Sequence, residues 1–147
     1  PPGQIISINK FLPTHMFIDI ELNRMKDFLQ KFPWLQLMLE DFLASSKTPF
    51  FILLVFGSYA KGKQTEKSDL DVLIIMQNKK DIKDIENSLK KIYTKVKKSL
   101  TVVDINDFKD MVSNPNSFNV GNEARKCHIL LYGVEGYYQL LRRVHKE

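Results

Sequence analysis

The stretch "VFGSYAKGKQTEKSDLDVLII", residues 55–75, decides how the rest of the chain is interpreted. An apolar segment ends at Gly57-Ser58, a polar linker follows, and Asp69 and Asp71 then stand at the start of another apolar segment. Charged side chains at the mouth of a buried sheet need a compensating partner, because an unpaired buried charge is costly. The stretch therefore predicts a strand, a bend and a second strand, with a polar site at one end.

The two aspartates are placed to act together. Side chains alternate along a strand, so Asp69 and Asp71 point to the same side while Leu70 turns into the core. Their Cα atoms are expected about 6.6 Å apart, given a rise of about 3.3 Å per residue. Such a pair can converge on one hard cation such as Mg²⁺, which takes oxygen ligands, or bridge two metal ions. We therefore interpret Asp69 and Asp71 as candidate metal ligands.

The bend at Gly57-Ser58 is suited to an anion. Glycine after a buried strand permits a tight turn and a close approach of the backbone to a ligand. The next residues, "SYAKG", can begin a short helix whose free amide groups point at an anion. Ser58 adds a hydroxyl donor, and Lys61 and Lys63 add positive charge. A triphosphate held between this bend and a metal on the aspartates would compensate the two negative charges. The alternative is an ordinary turn and a solvated strand entry, with Ser68 capping or turning the chain.

Two largely apolar runs, residues 49–56 and 70–76, predict strands that are covered on both faces, and residues 100–105 predict a third strand. Strands that alternate with helices predict an α/β fold, a small sheet with helices packed on it. We expect a single domain over 21–147, preceded by an irregular lead over 1–20 that includes a short strand at 5–8.

The helical spacing of apolar residues predicts the other elements. In chain order these helices span 21–46, 81–98, 106–112, 123–133 and 134–147. Pro33 is expected to kink or divide the first helix. The second helix has an apolar face that ends with Ile92 and Val96, and its other face carries the lysines. Asn106 is the expected N-cap of the third helix.

Composition narrows the possible functions. The chain has 147 residues, of which 44% are hydrophobic and 27% charged, as in an ordinary globular domain. Its longest apolar run is too short to span a bilayer, and the absence of a secretory signal together with a lone cysteine, Cys127, predicts the cytoplasm. We interpret Cys127 and His128 as packing residues, because the histidines and the cysteine lack metal-ligand spacing.

The net charge of +5 suits an anionic partner. The lysines of 79–98 alternate with acids, however, and predict a solvated helix face rather than a nucleic-acid stripe.

The segment from Gly57-Ser58 through Ser68-Asp69-Leu70-Asp71 resembles the signature of the DNA polymerase β-like nucleotidyltransferases, which is Gly-Ser, ten residues, Asp-x-Asp. It is most similar to the minimal nucleotidyltransferases of archaea and bacteria, over about residues 50–141. The resemblance implies a mixed sheet with flanking helices, as in the polymerase β palm, and transfer of a nucleoside monophosphate from ATP or another triphosphate, with two Mg²⁺ ions, to a hydroxyl. By matching position, Gly57 and Ser58 would bind the nucleotide, assisted by Lys61 and Ser68, and the aspartates would bind the metals.

The family usually takes a third carboxylate from the next core strand, where it helps to deprotonate the acceptor hydroxyl. In "LTVVDI" the matching place falls on Thr101, whereas Asp104 is the strand's only carboxylate and lies on the opposite face by parity. A bulge or another register could bring Asp104 inward, so Asp104 is kept as the third catalytic candidate. Without it, the site would bind nucleotide and catalyse weakly.

The resemblance also implies partners. Members of this family often act as antitoxins beside HEPN-type proteins, some by AMPylating a tyrosine of the toxin, so a protein acceptor or a homo-oligomer is expected. One alternative is a binding module of the same fold that works through protein contacts. Another is a nucleotide-sensing regulator in which a DNA-binding domain precedes Pro1.

Overall fold

The computed structural model describes residues 14–48 and 50–146, so the strand expected at 5–8 lies outside the described part. The elements, in chain order, are α1 (Thr14–Lys31), α2 (Pro33–Ser45), β1 (Phe51–Phe56), α3 (Gly57–Lys61), β2 (Leu70–Met76), a 3₁₀ turn (Lys79–Asp81), α4 (Ile82–Lys91), β3 (Lys98–Asp104), α5 (Ile105–Ser113), α6 (Val120–Lys126), β4 (Ile129–Tyr132) and α7 (Val134–Lys146). No helix within 14–48 or 50–146 has the length and apolar character needed to cross a bilayer.

The strands form one mixed sheet in the order β3–β2–β1–β4. β1 runs antiparallel to both of its neighbours, and β2 and β3 are parallel. β1 and β2 are central and almost wholly buried, as their apolar sequences predict, and Asp71 near the start of β2 is the polar exception. The predicted fold class, a small mixed sheet with flanking helices, is confirmed.

Helices cover both faces of the sheet and create two apolar cores. One core lies against α2, α4 and the second half of α1, with Phe42 and Leu89 fully buried. The other lies against α5, α6 and α7, with Phe108 and Tyr137 fully buried. Because both faces are covered, a polar site can only open at an end of the strands.

The first two helices occupy the segment predicted as one interrupted helix. Pro33 stands at the start of α2, where its fixed φ suits the first turn and its missing N–H costs nothing, and the predicted break is confirmed. α1, however, begins at Thr14 rather than at residue 21, and it buries Phe17 and Glu21 while leaving Leu22 44% exposed. The predicted start was wrong because the buried stripe at the beginning of α1 contains a glutamate, which an apolar period cannot reveal.

A buried polar cluster attaches α1 to β4 and α7. Glu21 Oε1 accepts hydrogen bonds from Tyr138 Oη at 2.5 Å and from His128 Nε2 at 3.0 Å. His128 Nδ1 lies 2.8 Å from the carbonyl oxygen of Ala124. Carbonyl and carboxylate oxygens only accept, so both ring nitrogens of His128 act as donors, and its hydrogen bond and charge oppose the effect of burial on the pKa of Glu21. His128 is therefore a buried ion-pair partner and not simply a packing residue.

The helix predicted over 81–98 stops early, because α4 ends at Lys91. The Lys98 ammonium donates hydrogen bonds to two carbonyls at this helix end, that of Leu89 at 2.8 Å and that of Ile92. The following loop, residues 92–97, still packs apolar side chains against the first core. The helical spacing continues beyond the helix for that reason.

The helix predicted over 123–133 is wrong. α6 ends at Lys126, and Ile129–Tyr132 form β4, which pairs with β1 as an edge strand. A short apolar run cannot be assigned to strand or helix by its periodicity alone, and here both sides of the run are buried. The terminal helix predicted after Gly133 is confirmed as α7.

Asp104, and not Asn106, caps α5. Its carboxylate accepts a hydrogen bond from the backbone N–H of Asp107 at 2.7 Å. α5 begins directly after the last residue of β3, so the capping position falls on the strand end, and the expectation for Asn106 is wrong.

Candidate active site

The bend after β1 lies directly beside the start of β2. The two strands are antiparallel with Phe56 opposite Asp71, so Gly57 begins α3 next to the Asp71 side chain. A Cβ atom built on Gly57 would lie 2.1 Å from Asp71 Oδ2, and the φ of Gly57 is +69°. Both the close approach and the left-handed backbone require glycine at this position.

Asp69 and Asp71 share this mouth of the sheet. Asp69 immediately precedes β2, Asp71 is its second residue, and both are partly exposed. Burial and then the negative charge of Asp69 raise the pKa of Asp71, against the lowering effects of the Lys61 charge and of a hydrogen bond with Ser99. A raised carboxyl pKa means that the surroundings compensate the ionised form incompletely. A cation placed between the two carboxylates would supply the missing compensation.

Aromatic packing fixes α3, the short helix that carries Ser58 and Lys61. The Tyr59 ring is buried and contacts the rings of Phe32 and Trp34 edge-on, with centroid distances of 5.3 and 6.2 Å. These contacts tie α3 to the junction between α1 and α2. Ser58 and Lys61 consequently belong to a helix that aromatic packing anchors next to the aspartates.

Ser68 is engaged within the linker. Its hydroxyl accepts a hydrogen bond from the Thr65 N–H at 2.8 Å, and its own N–H donates to the Thr65 carbonyl at 3.1 Å. These bonds close a turn that delivers the chain to Asp69. The interpretation of Ser68 as a turn residue accounts for both bonds, and its part in nucleotide binding stays a prediction.

Asp104 does not join the pair. β3 is parallel to β2, with Ser99 opposite Asp71 and Asp104 opposite Met76, and the pairing is continuous from Leu70 onward. Asp104 therefore lies at the far end of the strand, about 16 Å from Ser99 at about 3.3 Å per residue. No bulge or shift of register brings it inward, and its carboxylate is used to cap α5.

Thr101 lies two residues further along β3 than Ser99, which is the residue beside Asp71. Thr101 lies opposite Leu73, so its side chain shares the sheet face of Asp71 on the neighbouring strand. The side chain at this position is a hydroxyl, so Thr101 does not supply the third carboxylate that the resemblance implies.

Sequence reasoning missed Ser99 and the loop over residues 92–97. Ser99 shares a side-chain hydrogen bond with Asp71, and the Leu70 N–H donates to the carbonyl of Lys97 at 2.8 Å. The loop consequently borders both aspartates. The signal that would have revealed it is the end of α4, which the continuing apolar spacing conceals.

The residues at the mouth suit a single Mg²⁺ ion. No group of three or more His, Cys, Asp or Glu side chains that could hold a metal occurs in the described part of the chain. Mg²⁺ is usually held by one or two protein carboxylates and completes its shell with water and substrate phosphates. The incompletely compensated pair of Asp69 and Asp71 meets that requirement, whereas the second predicted ion would have only the same two carboxylates.

Comparison with known families identifies a match that includes this site. The family model described as "Polymerase beta, Nucleotidyltransferase" matches residues 39–119, more than half of the 147-residue chain. The matched segment contains β1, α3, β2 and β3, and therefore the bend and both aspartates. No curated protein matches the chain.

Proposed function

Because the chain belongs to the polymerase β nucleotidyltransferase family, we propose that it transfers a nucleoside monophosphate from a triphosphate, with ATP as the expected donor, to an acceptor hydroxyl. The observation that carries the proposal is the close approach of Gly57 to the Asp71 carboxylate, which joins an anion-suited bend to a cation-suited pair. The lone Cys127 fits the cytoplasm as the place of this reaction.

The triphosphate would lie at the bend. The amide groups at the start of α3 and the Ser58 hydroxyl would bind phosphate oxygens, and Lys61 would add positive charge. Asp69 and Asp71 would hold Mg²⁺, which when bound neutralises negative charge on the phosphates. The acceptor oxygen attacks the α-phosphorus. The bond between the α-phosphorus and the oxygen that bridges it to the β-phosphorus breaks, and pyrophosphate leaves. Positioning and charge neutralisation supply most of the acceleration in such a displacement.

A second candidate function is a nucleotide-binding module of the same fold that transfers slowly or not at all. One observation favours it: β3 offers Ser99 and Thr101 on the sheet face of Asp71, both of them hydroxyls, and Asp104 lies at the opposite end of β3. A serine or threonine hydroxyl is not a base at neutral pH, so this chain would leave the acceptor proton to solvent. The two functions share one binding site and differ in turnover.

The antitoxin role rests on the resemblance alone. In that role the acceptor is a tyrosine of a HEPN-type partner protein. Incubation of the protein with α-labelled ATP, Mg²⁺ and the product of the neighbouring gene tests it, and label on that product is the expected result.

Calorimetry with a non-hydrolysable ATP analogue and Mg²⁺ tests the shared binding site. We expect binding that requires Mg²⁺ and is lost in the double variant Asp69→Asn with Asp71→Asn. The matched control is Asp81→Asn with Asp84→Asn, which makes the same charge change at the other end of the sheet and should bind normally. Failure to bind any nucleoside triphosphate, or unchanged binding in the site variant, would contradict both functions.

Label transfer separates the two functions. Transfer from α-labelled ATP to a hydroxyl supports the enzyme, and binding without transfer supports the module.

A further inference from the structure

A cleft opens at the end of the sheet that lies opposite the bend. Its volume is about 430 Å³, and small-molecule pockets span roughly 300 to 1,000 Å³. The cleft is lined where β1 begins and β2 ends, by the start of α5 and by one side of α7. Gly57 follows the other end of β1, about 16 Å away at about 3.3 Å per residue. The cleft is therefore separate from the candidate active site.

The walls of the cleft are mainly apolar. Ile52 and Ile75 are paired across β1 and β2 and belong to the second core. Ile105 reaches the same space from α5, and Leu140 reaches it from α7. The ring of Phe50 also lines the cleft and is 66% exposed. The second core thus continues into an open cleft whose apolar surface a ligand would remove from water.

Gly136 keeps the cleft open. It lies in the first turn of α7 and does not have a positive φ. A Cβ atom built on it would meet only Ile52 Cγ1, at the ordinary contact distance of 3.9 Å. Neither backbone conformation nor crowding requires glycine here, and glycine favours a helix less than alanine does. The missing side chain leaves space that the protein itself does not fill.

One side of the cleft carries a positive charge. Arg143 lines it, is exposed, and forms no salt bridge with the residues that the structure describes. No described residue that lines the cleft is acidic. Three acids neighbour lining residues in the chain, and each is already engaged. Asp104 caps α5, Asp107 lies 3.7 Å from Lys79, and Glu135 accepts a hydrogen bond from the next turn of α7 at 3.3 Å. The Arg143 guanidinium is therefore available to an anionic ligand.

We propose that this cleft binds an amphipathic carboxylate, a small molecule with an aliphatic body and one carboxylate group. The body covers the apolar walls, and the planar guanidinium of Arg143 donates two N–H groups to the carboxylate oxygens. The amide of Gln77, which also lines the cleft, adds a neutral donor. One guanidinium balances one carboxylate, whereas a phosphate monoester carries a charge of about −1.5 to −2. The charge of the cleft therefore favours a carboxylate.

Calorimetry with octanoate tests the cleft, and acetate and octanol test its two halves. Octanoate should bind with a negative heat-capacity change, because apolar surface is buried. Acetate, which lacks the aliphatic body, should bind at least about tenfold more weakly. Octanol, which lacks the charge, should bind about tenfold more weakly. Failure of octanoate to bind, or equal affinity for acetate, overturns the proposal, and equal affinity for octanol overturns the choice of a carboxylate.

Two variants locate the binding. Gly136→Leu places a side chain in the cleft and should weaken octanoate binding at least about tenfold, because the ligand loses apolar contact area. It should melt no lower than the unmodified protein, since leucine favours a helix more than glycine does. Arg143→Gln, a change on the surface, should weaken octanoate binding about tenfold and leave octanol binding unchanged.

The matched control is Lys26→Gln, which removes one positive charge from an exposed side chain of α1. It should leave octanoate affinity unchanged. Equal weakening by this control, or unchanged binding in both cleft variants, overturns the proposal. Sedimentation velocity examines the other occupant, a second copy of the chain. A dimer that Gly136→Leu dissociates would make the cleft an interface between copies and would also overturn the proposal.

Binding of the ATP analogue keeps this inference apart from the proposed function. Gly136→Leu and Arg143→Gln should bind the analogue as the unmodified protein does, because the bend lies at the other end of β1. Loss of octanoate binding with normal analogue binding is the expected result for both variants. Loss of both ligands together would mean that the variants disturb the whole fold, and the cleft would then lose its support.

Discussion

Burial affects the carboxyl groups of both Glu21 and Asp71, yet their pKa values shift in opposite directions. Glu21 is completely buried, and burial alone would raise the pKa of its carboxyl, but hydrogen bonds from His128 and Tyr138 and the nearby positive charges outweigh this effect and lower it. Asp71 is partly exposed, yet burial and the Asp69 charge raise its pKa.

The difference lies in the partners and not in the depth of burial. The Glu21 carboxylate has a cation and two donors supplied by the protein, so the cluster is complete without a ligand and serves to attach α1. At the mouth, Asp71 faces a second carboxylate, and only the Lys61 charge and the hydrogen bond with Ser99 act to stabilise its ionised form. A cation-binding site requires carboxylates whose negative charge the protein balances only in part. A bound cation can then supply the rest of the balancing charge.

The largest expected effect comes from removing the cation of the buried cluster. His128→Leu removes the closest cation from the fully buried Glu21 carboxylate, leaves it only Arg24 at 3.9 Å, and should lower the free energy of unfolding by about 3 kcal/mol. Urea denaturation measures it. Because apolar replacement of both partners avoids the uncompensated charge, the double variant Glu21→Met with His128→Leu should recover part of the loss. If the double variant is no more stable than the single one, Glu21 is not held by this ion pair.

Removal of one donor from the same cluster should cost less. Tyr138→Phe deletes a hydrogen bond to a charged carboxylate and should cost about 1.5 to 3 kcal/mol. Tyr137→Phe is the matched control, since the buried Tyr137 hydroxyl has no hydrogen-bond partner among the described residues and its loss should be neutral or stabilising. Equal destabilisation by the two changes in thermal unfolding would contradict the comparison.

At the mouth, Gly57→Ala should act on binding more than on stability. The left-handed backbone makes alanine cost about 1 to 2 kcal/mol, and the new methyl group displaces the Asp71 carboxylate. Calorimetry should therefore show loss of Mg²⁺-dependent binding of the ATP analogue by a protein that still folds. Gly136→Ala, within α7, meets only one atom at 3.9 Å and should bind normally.

The smallest expected effect is a gain in stability rather than a loss. The pKa of Asp71 is raised in the fold, so its charge destabilises the protein increasingly as pH rises above the ordinary value of 3.8, and Asp71→Asn should raise the melting temperature at pH 7 but not in strong acid. The pKa of Glu21 is lowered, so its contribution is present above the ordinary value of 4.5 and is lost as pH falls below it. Glu21→Gln should therefore lower the melting temperature at pH 7 and lose this effect in acid. Shifts of the same sign for both variants at pH 7 would contradict the comparison.

The mouth could be predicted from sequence, whereas the buried cluster could not. Gly57, Ser58, Asp69 and Asp71 lie within fifteen residues of one another, and a strand, a bend and an antiparallel return bring such positions together by local geometry. Glu21 and His128 are 107 residues apart, and a glutamate in an amphipathic helix carries no sign of its burial.

The remaining errors arose where apolar residues serve two kinds of element. Ile129–Tyr132 read equally well as a helix turn and as a strand, and pairing with β1 decided between them. The loop after Lys91 keeps apolar contacts with the core, so its spacing imitates more helix. Asp104 was a candidate because it is the strand's acid, but the parallel register fixes it at the far end.

The Asp71 side chain fills the space beside Gly57, so substitutions at the two positions depend on each other. As long as the acid is present, no larger residue can replace the glycine without displacing it. Replacement of Asp71 by a small residue removes the steric obstacle to a larger residue at position 57, and only the left-handed backbone then favours glycine there. In related chains, a change at both positions would accordingly indicate loss of nucleotide binding, and the sequences alone would show it.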